Sequence, residues 1–252
     1  MLDPMDLYIR QVRLKDKPQD LEDYVASLPL IQHLDALRLE RPVTFLIGEN
    51  GSGKSTLLEA IALAAGFNAE GGGRNFRFST QNTHSQLYRN LTLIRGAKRP
   101  RDGYFLRAES FYNLAGEIDR MGDLIESYGG RSLLRQSHGE SFLSLMLNRF
   151  GGQGLYLLDE PEAALSPSRQ LSALAAFHWL EERQSQLIIA THSPILMAYP
   201  GAHIFQLDKG GLSPVEYRQT ECYQLTRRFL ENPEKMLRYL LSDSGAGEDD
   251  PR

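Results

Sequence analysis

The segment that most constrains the fold is "PVTFLIGENGSGKSTLLEAIALAAG", residues 42–66. An apolar run ends at Gly48, further glycines follow at 51 and 53, and a helix-like pattern begins at Lys54. The pattern therefore predicts a buried strand, a glycine-rich turn and a helix. The spacing G-x-x-x-x-G-K-[ST] between a strand and a helix is typical of a loop that binds phosphate groups. We expect an α/β domain built around this loop.

The chemistry of such a loop assigns roles to its residues. Backbone N–H groups of the turn point at phosphate oxygens, and the helix start adds partial positive charge. Lys54 would neutralise the β and γ phosphates, and the Ser55 hydroxyl would bind Mg²⁺. The residues assigned to phosphate binding are Asn50, Gly51, Ser52, Gly53, Lys54, Ser55 and Thr56. The alternative is a structural glycine turn in which Lys54 and Ser55 have no role.

Two further apolar runs also end abruptly in polar residues. "GLYLLDE" ends in Asp159 and Glu160, and "QLIIATH" ends in His192. Each run is followed by a helical pattern, which predicts a parallel sheet with helices on its faces. Because ligands bind beyond the carboxyl ends of such strands, we expect these side chains to converge on the phosphate-binding loop.

The converging side chains match the needs of phosphate hydrolysis. Asp159 would hold Mg²⁺, and Glu160 would polarise the water that attacks the γ-phosphate. His192 would donate a hydrogen bond to the γ-phosphate. The alternative for the acids is capping of the next helix, and we prefer that interpretation for Glu162. The alternative for His192 is an ordinary loop histidine, with Ser193 as the cap of a following short helix.

Length and composition exclude several classes of protein. The chain has 252 residues, of which 41% are hydrophobic, enough for one large domain. Its apolar runs reach about half of the roughly 20 residues of a membrane helix, and its N-terminus lacks a signal peptide's apolar region. A single cysteine cannot form an internal disulfide. We therefore expect a cytoplasmic protein, and the sequence does not favour a membrane partner.

The domain prediction is one domain over residues 1–240, with an inserted basic and helical lobe at about 71–150. This lobe would include the strand-like "GYFLRAE" and a helical stretch from residue 110 to about 128. A helical pair, broken at Asn232-Pro233, would end the domain. Residues 241–252 form an acidic tail that we expect to be disordered.

Charge is unevenly distributed along the chain. The net charge is −4, but residues 71–107 carry eight basic residues and one acid. This basic segment is compatible with nucleic-acid contact, because Lys and Arg bind backbone phosphates. A solvated basic face, or contact with nucleotide phosphates, explains it equally well.

With "GENGSGKST", "LLDEPEAALS" and "ATHSP" in this order, the chain resembles the ABC-type ATPases over nearly its whole length. More narrowly, it resembles the soluble branch containing SMC, RecF-like and OLD-like ATPases, and most of all their small stand-alone bacterial relatives. The resemblance implies a P-loop NTPase head with a mostly parallel core sheet, an antiparallel β subdomain and a small helical lobe. It also implies ATP and Mg²⁺ as cofactors. About eighty residues without heptads separate Lys54 from Ser137, which excludes long coiled-coil arms.

The family also has a signature, Leu-Ser-Gly-Gly-Gln or Leu-Ser-Gly-Gly-Glu, at a helix start about twenty residues before the acids. Here "QSHGE" at 136–140 resembles a diverged signature, with Ser137 standing 22 residues before Asp159. The resemblance implies that Ser137 and Gly139 contact the γ-phosphate held by the opposite subunit of an ATP-dependent homodimer. Glu109 stands where the family has a metal-binding glutamine, and Gln81 is a second candidate for that position.

Three functional hypotheses follow from this resemblance. The first is a soluble ATPase whose ATP-driven head dimerisation acts on a macromolecule, with nucleic acid as the leading candidate and DNA repair or maintenance as a related process. The second is the ATP-binding subunit of a membrane transporter. The third is an ATP-sensing regulator of a protein effector in a defence system. The sequence does not separate ATP from GTP.

Overall fold

The computed structural model describes residues 2–15, 21–73, 85–108, 110–120, 130 and 132–242. These residues belong to two compact units, Met1–Val215 and Glu216–Arg252. The first unit holds the predicted phosphate-binding loop and the acids. The single domain predicted over residues 1–240 stays a prediction.

The first unit combines strands and helices, and of the three predicted apolar strands the first two are followed by helices, whereas the third is followed by a three-residue 3-10 turn. Its elements in chain order are β1 (Ile9–Leu14), α1 (Asp23–Ala26), α2 (Pro29–His33), β2 (Ala36–Arg38), β3 (Val43–Gly48), α3 (Lys54–Ala65), β4 (Gly72–Gly73), β5 (Leu91–Arg95), β6 (Asp102–Arg107), α4 (Phe111–Arg120), α5 (His138–Arg149), β7 (Gly154–Asp159), α6 (Pro167–Glu182), β8 (Gln186–Ala190), β9 (His203–Asp208) and β10 (Gly211–Pro214). Short 3-10 turns connect several of them.

The strands form two sheets. The larger has seven strands in the order β10-β9-β3-β8-β7-β6-β4, and the smaller has three in the order β2-β1-β5. From β9 to β6 neighbouring strands run parallel, whereas β10, β4 and the whole smaller sheet pair in antiparallel fashion. The α/β fold with a mostly parallel core sheet and an antiparallel β subdomain is thus confirmed.

Burial on both faces explains why the central strands could be predicted from the sequence. Every residue of β7 and β8 is buried, as is all of β3 except its final glycine. Strands covered on both faces read as continuous apolar runs. Helix α3 contacts β3, β7 and β8 of the larger sheet and β5 of the smaller one, so it joins the two sheets in one core.

One strand differs from its predicted place. The run "GYFLR", expected within an inserted lobe, forms β6, which pairs in parallel with β7 inside the main sheet. Residues 103–106 are buried, and burial on both faces requires a central position. The helical part of the lobe begins with α4 at Phe111, and residues 121–129 lie outside the described part of the chain.

The second unit contains two helices, α7 (Glu221–Glu231) and α8 (Pro233–Ser242). Between them the Asn232 side chain accepts a hydrogen bond from the Lys235 N–H at 3.1 Å. The predicted break at Asn232-Pro233 is confirmed, with Asn232 as the cap and Pro233 as the first helical residue. Residues 243–252 of the predicted tail lie outside the described residues.

Candidate active site

The phosphate-binding loop connects β3 to α3 in the predicted geometry. Gly51 and Gly53 adopt φ values of 80° and 95°, which side chains disfavour. At Gly48 a Cβ atom would lie 2.4 Å from the Leu207 carbonyl oxygen. The turn therefore requires glycine both for its backbone angles and for its close contact with β9.

Lys54 begins α3, and its side chain is only 4% exposed. Its ammonium donates a hydrogen bond to the Glu49 carbonyl at 3.1 Å, across the loop. Burial lowers the pKa of Lys54, and three carboxylates oppose this shift, those of Glu160, Asp159 and Glu162. The lysine thus lies in the field of the acids that end β7, as predicted from the strand ends.

Asp159 ends β7, in register with Arg107 on β6 and Ala190 on β8. Burial raises the pKa of Asp159 to about 6, whereas Arg107 and a hydrogen bond with Ser55 lower it. Within the described part of the chain, its buried Oδ1 atom makes no hydrogen bond. The structure therefore brings together two residues predicted to bind the metal, Ser55 and Asp159.

These two residues fit a magnesium ion. Mg²⁺ prefers hard oxygen ligands and commonly takes only one or two from the protein. A hydroxyl and a buried carboxylate oxygen without a hydrogen-bond partner are ligands of that kind. The third predicted ligand, Glu109, lies outside the described residues, as does its alternative, Gln81.

Glu160 and His192 form the outer part of the site. Glu160 has a left-handed backbone (φ 48°, ψ 51°), and its side chain does not cap the 3-10 turn that follows. Its Oε1 atom lies 3.6 Å from the His192 Nε2 atom, and both side chains are about 40% exposed, at 41% and 37%. The two predicted catalytic residues therefore lie together, with access to solvent.

Glu162 has a contact that the sequence interpretation missed. Its Oε1 atom accepts a hydrogen bond from the backbone N–H of His192 at 2.5 Å. The preferred interpretation, a helix cap, differs from this arrangement, because Ser166 is the N-cap residue of α6. The Ser193 hydroxyl accepts hydrogen bonds from the N–H groups of Ile195 and Leu196, although Ile195, and not Ser193, holds the N-cap position of the 3-10 turn Leu196–Ala198.

Arg107 is the second residue that sequence reasoning did not place in the site. Its guanidinium lies 2.6 Å from a Glu59 carboxylate oxygen on α3 and 3.5 Å from Asp159. The sequence interpretation counted Arg107 in the basic segment. Only its position at the end of a strand beside β7 could have indicated a role here.

The other cations of the basic segment are divided among different contacts. Arg95 donates to the carbonyl of Ala64 at 3.3 Å, and Lys98 pairs with Asp6 at 2.8 Å. Arg99 and Arg101 are exposed. Arg74 and Arg77 lie outside the described residues. The described cations of segment 71–107 therefore do not all serve one purpose.

The predicted signature lies at a helix start, as expected. Ser137 is the N-cap residue of α5 and forms a capping box with Glu140. Arg169, in the first turn of α6, donates to the Ser137 hydroxyl at 3.2 Å. A Cβ atom at Gly139 would lie 2.7 Å from the Arg169 guanidinium and 2.9 Å from the Ala164 carbonyl oxygen. This close contact is a physical reason for glycine at position 139.

Comparison with known families agrees with this geometry. Residues 26–121 match a model described as an AAA domain, and residues 132–198 match a model described as an AAA domain, putative AbiEii toxin, type IV TA system. The first match contains the phosphate-binding loop, and the second contains Ser137, both acids and His192. The chain is a P-loop ATPase of the ABC/AAA kind.

Two curated relatives of this ATPase are ATP-binding proteins of transporters. One, an ABC transporter ATP-binding protein of Haemophilus influenzae, is 27% identical over 71% of this chain and 75% of its own length. The other, the zinc import ATP-binding protein ZnuC of Paracoccus denitrificans, is 28% identical over 68% of this chain. The match spans 63% of ZnuC, which is less than two thirds of that protein.

A solved structure shares the fold of this ATPase. The cbiO1 protein of Clostridium perfringens, part of the ABC transporter complex cbiONQ, superposes with a TM-score of 0.50. The superposition covers 93% of this chain and 99% of cbiO1, at 16% sequence identity. Among the described residues of the ATPase itself, no helix combines the length and the apolar character of a membrane span.

Proposed function

We propose that this ATPase hydrolyses ATP at two equivalent sites formed between two copies of the chain. One copy would supply the phosphate-binding loop, the acids and His192, and the other would supply Ser137 and Gly139. The observation that carries the proposal is the grouping of Lys54, Asp159 and Glu160 beside His192 at the carboxyl ends of adjacent strands. Ser137, by contrast, hydrogen-bonds at the start of a different helix.

Each residue then has a chemical task. Lys54 and the loop N–H groups bind phosphate oxygens, and Glu160 orients and deprotonates the attacking water. His192 donates a hydrogen bond to the γ-phosphate. Ser55 and Asp159 would hold Mg²⁺, which would offset the negative charge on the β and γ phosphates.

Dimerisation also gives hydrolysis a role, which is to separate the two copies. ATP between two heads would hold them together, and loss of the γ-phosphate would release them. Such a cycle can alternately bind and release a macromolecule, as expected for a member of the SMC, RecF and OLD-like branch. The diverged signature and the short helical lobe support this branch.

The composite site can be tested by mixing two inactive variants. Lys54→Ala lacks its own phosphate-binding lysine, and Ser137→Ala lacks its own signature serine. In a mixed dimer one site has both intact halves, so an equal mixture should regain about a quarter of wild-type ATPase activity. Each variant alone should stay near background. A mixture no more active than its components would contradict the proposal.

The macromolecular partner needs separate experiments. If DNA is the partner, the affinity for duplex DNA should fall steeply with salt, because phosphate contacts release counterions. Replacing the exposed Arg99 and Arg101 with alanine should weaken that binding, whereas an Arg10→Ala control outside the segment should not. No DNA binding at low salt would remove DNA as the partner.

A second candidate is the ATP-binding subunit of a transporter, which the names of both curated relatives favour. It predicts that the protein co-purifies from membranes with a multi-span protein. A soluble effector in the same pull-down would instead favour the regulatory hypothesis, which the description of the family matching residues 132–198 supports.

A further inference from the structure

Arg169 connects the start of α5 to the start of α6. Its Nη1 atom donates to the Ser137 hydroxyl at 3.2 Å, and its Nη2 atom donates to Glu140 Oε1 at 3.1 Å. Glu140 in turn accepts a hydrogen bond from the backbone N–H of Ser137 at 3.1 Å. Arg169 therefore contacts both residues of the capping box through one planar guanidinium.

The contact between the two helix starts is close as well as polar. Because Gly139 has no side chain, the Arg169 side chain and the Ala164 carbonyl both approach α5 more closely than a Cβ atom at position 139 would allow. Ala164 ends the 3-10 turn Pro161–Ala164, which directly follows Glu160. The start of α5 is thus packed against the segment that leads from Glu160 into α6.

We propose that Arg169 is a positioning residue that fixes Ser137 relative to the turn carrying Glu160. This inference rests on the proposed two-copy site. In a dimer with twofold symmetry, each copy gives Glu160 to one ATP and Ser137 to the other. If the distance between Glu160 and Ser137 within one copy is fixed, the two ATP sites close at the same time. If that distance can vary, each site can close independently of the other.

Arg169 is suited to this task without being important for folding. The Arg169 and Glu140 side chains are 30% and 56% exposed, and exposed ion pairs contribute little to stability. Replacing Arg169 with glutamine should therefore shift the melting temperature by no more than about 3 °C. An effect on dimer closure can then be separated from unfolding.

The test uses Glu160→Gln, which should bind ATP without hydrolysing it. In that background we compare Arg169→Gln with a control, Arg149→Gln. Arg149 forms an ion pair with Asp102 at 3.0 Å at the opposite end of α5, and it is about as exposed as Arg169, at 28%. Sedimentation with ATP and Mg²⁺ measures the dimer dissociation constant.

Arg169→Gln should raise that constant by about tenfold or more, since a lost charge-assisted hydrogen bond has an effect of this size. Arg149→Gln should leave it within about twofold. Binding of a fluorescent ATP analogue to the monomer should not change in either variant. Equal effects of the two arginine variants on dimerisation, or no effect of Arg169→Gln, would overturn the inference.

Hydrolysis kinetics give a readout that a merely structural role would not change. With Glu160 restored, Arg169→Gln should lose cooperativity in ATP concentration, and Arg169→Lys should recover part of it by keeping one contact. Unchanged cooperativity would overturn the inference.

The two proposals fail in different ways. If Glu160→Gln with native Arg169 stays monomeric in ATP, the two-copy site itself is wrong. If it dimerises and Arg169→Gln dimerises equally well, only the role of Arg169 is wrong.

Discussion

Asp159 is a carboxylate in a position where burial opposes its charge. Its pKa rises from 3.8 to about 6 despite Arg107 and Ser55 beside it. Asp159→Asn removes that charge and keeps the shape, so the nucleotide-free protein should gain about 3 kcal/mol of stability at pH 8. The same variant should lose ATPase activity. Denaturant unfolding and phosphate release measure the two effects, and a variant less stable than wild type would contradict this account.

The pH dependence of that gain has a definite sign. Below about pH 4 the carboxyl is protonated in both folded and unfolded chains, so wild type and Asp159→Asn should be equally stable. As pH rises through about 4 to 6, the unfolded chain ionises first, and the wild type loses stability relative to the variant. Above about pH 6 the difference should stay constant. Unfolding titrations across this range test the sign.

Glu162 positions His192 through a backbone hydrogen bond. Glu162→Ala leaves the His192 N–H without its acceptor, and we expect a fall in kcat of about tenfold with little change in KM. Glu162→Gln retains an acceptor oxygen and serves as the control, with a loss of about threefold or less. Equal losses in the two variants would show that the charge of Glu162, and not this hydrogen bond, is what matters.

At the scale of elements, the loop between β3 and α3 depends on space as well as on backbone angles. Gly48→Ala would place a Cβ atom 2.4 Å from the Leu207 carbonyl, which belongs to the neighbouring strand β9. We expect a loss of about 3 kcal/mol or more, and weaker ATP binding, because backbone atoms must move. Chemical denaturation and nucleotide titration measure both.

Gly66→Ala is the matched control for Gly48→Ala. Gly66 ends α3 with φ 94°, and a Cβ atom added there would meet none of the described residues within 4 Å, apart from its chain neighbours. The control should lose only about 1 kcal/mol, from backbone strain alone, and bind ATP normally. A Gly48→Ala variant as stable as Gly66→Ala would contradict the close contact with β9.

The elements also show what the sequence could and could not predict. Strands β3, β7 and β8 were predictable because burial on both faces produces continuous apolar runs, and the polar residues that end β7 and β8 were predictable for the same reason. Strand β6 was placed in a lobe because chain order does not reveal which strands are neighbours. Arg107 and Glu162 were missed because their partners lie on other elements, 48 and 30 residues away for Glu59 and His192.

For the whole molecule, the central claim is that ATP joins two copies of the chain. The phosphate-binding loop and the acids can bind nucleotide within one copy. Ser137 is held at a helix start by contacts within its own copy, so in the proposed dimer it would already be placed to contact a phosphate bound by the other copy. Closure of two copies would complete both sites at once, and hydrolysis would reopen them.

The most direct test is the solution mass of Glu160→Gln by light scattering, with and without ATP and Mg²⁺. Removing the base leaves the binding residues intact, so bound ATP should persist and hold two copies together. The account predicts a monomer without nucleotide and a dimer with ATP. A monomeric mass in the presence of ATP, in a variant shown to bind it, would contradict the account.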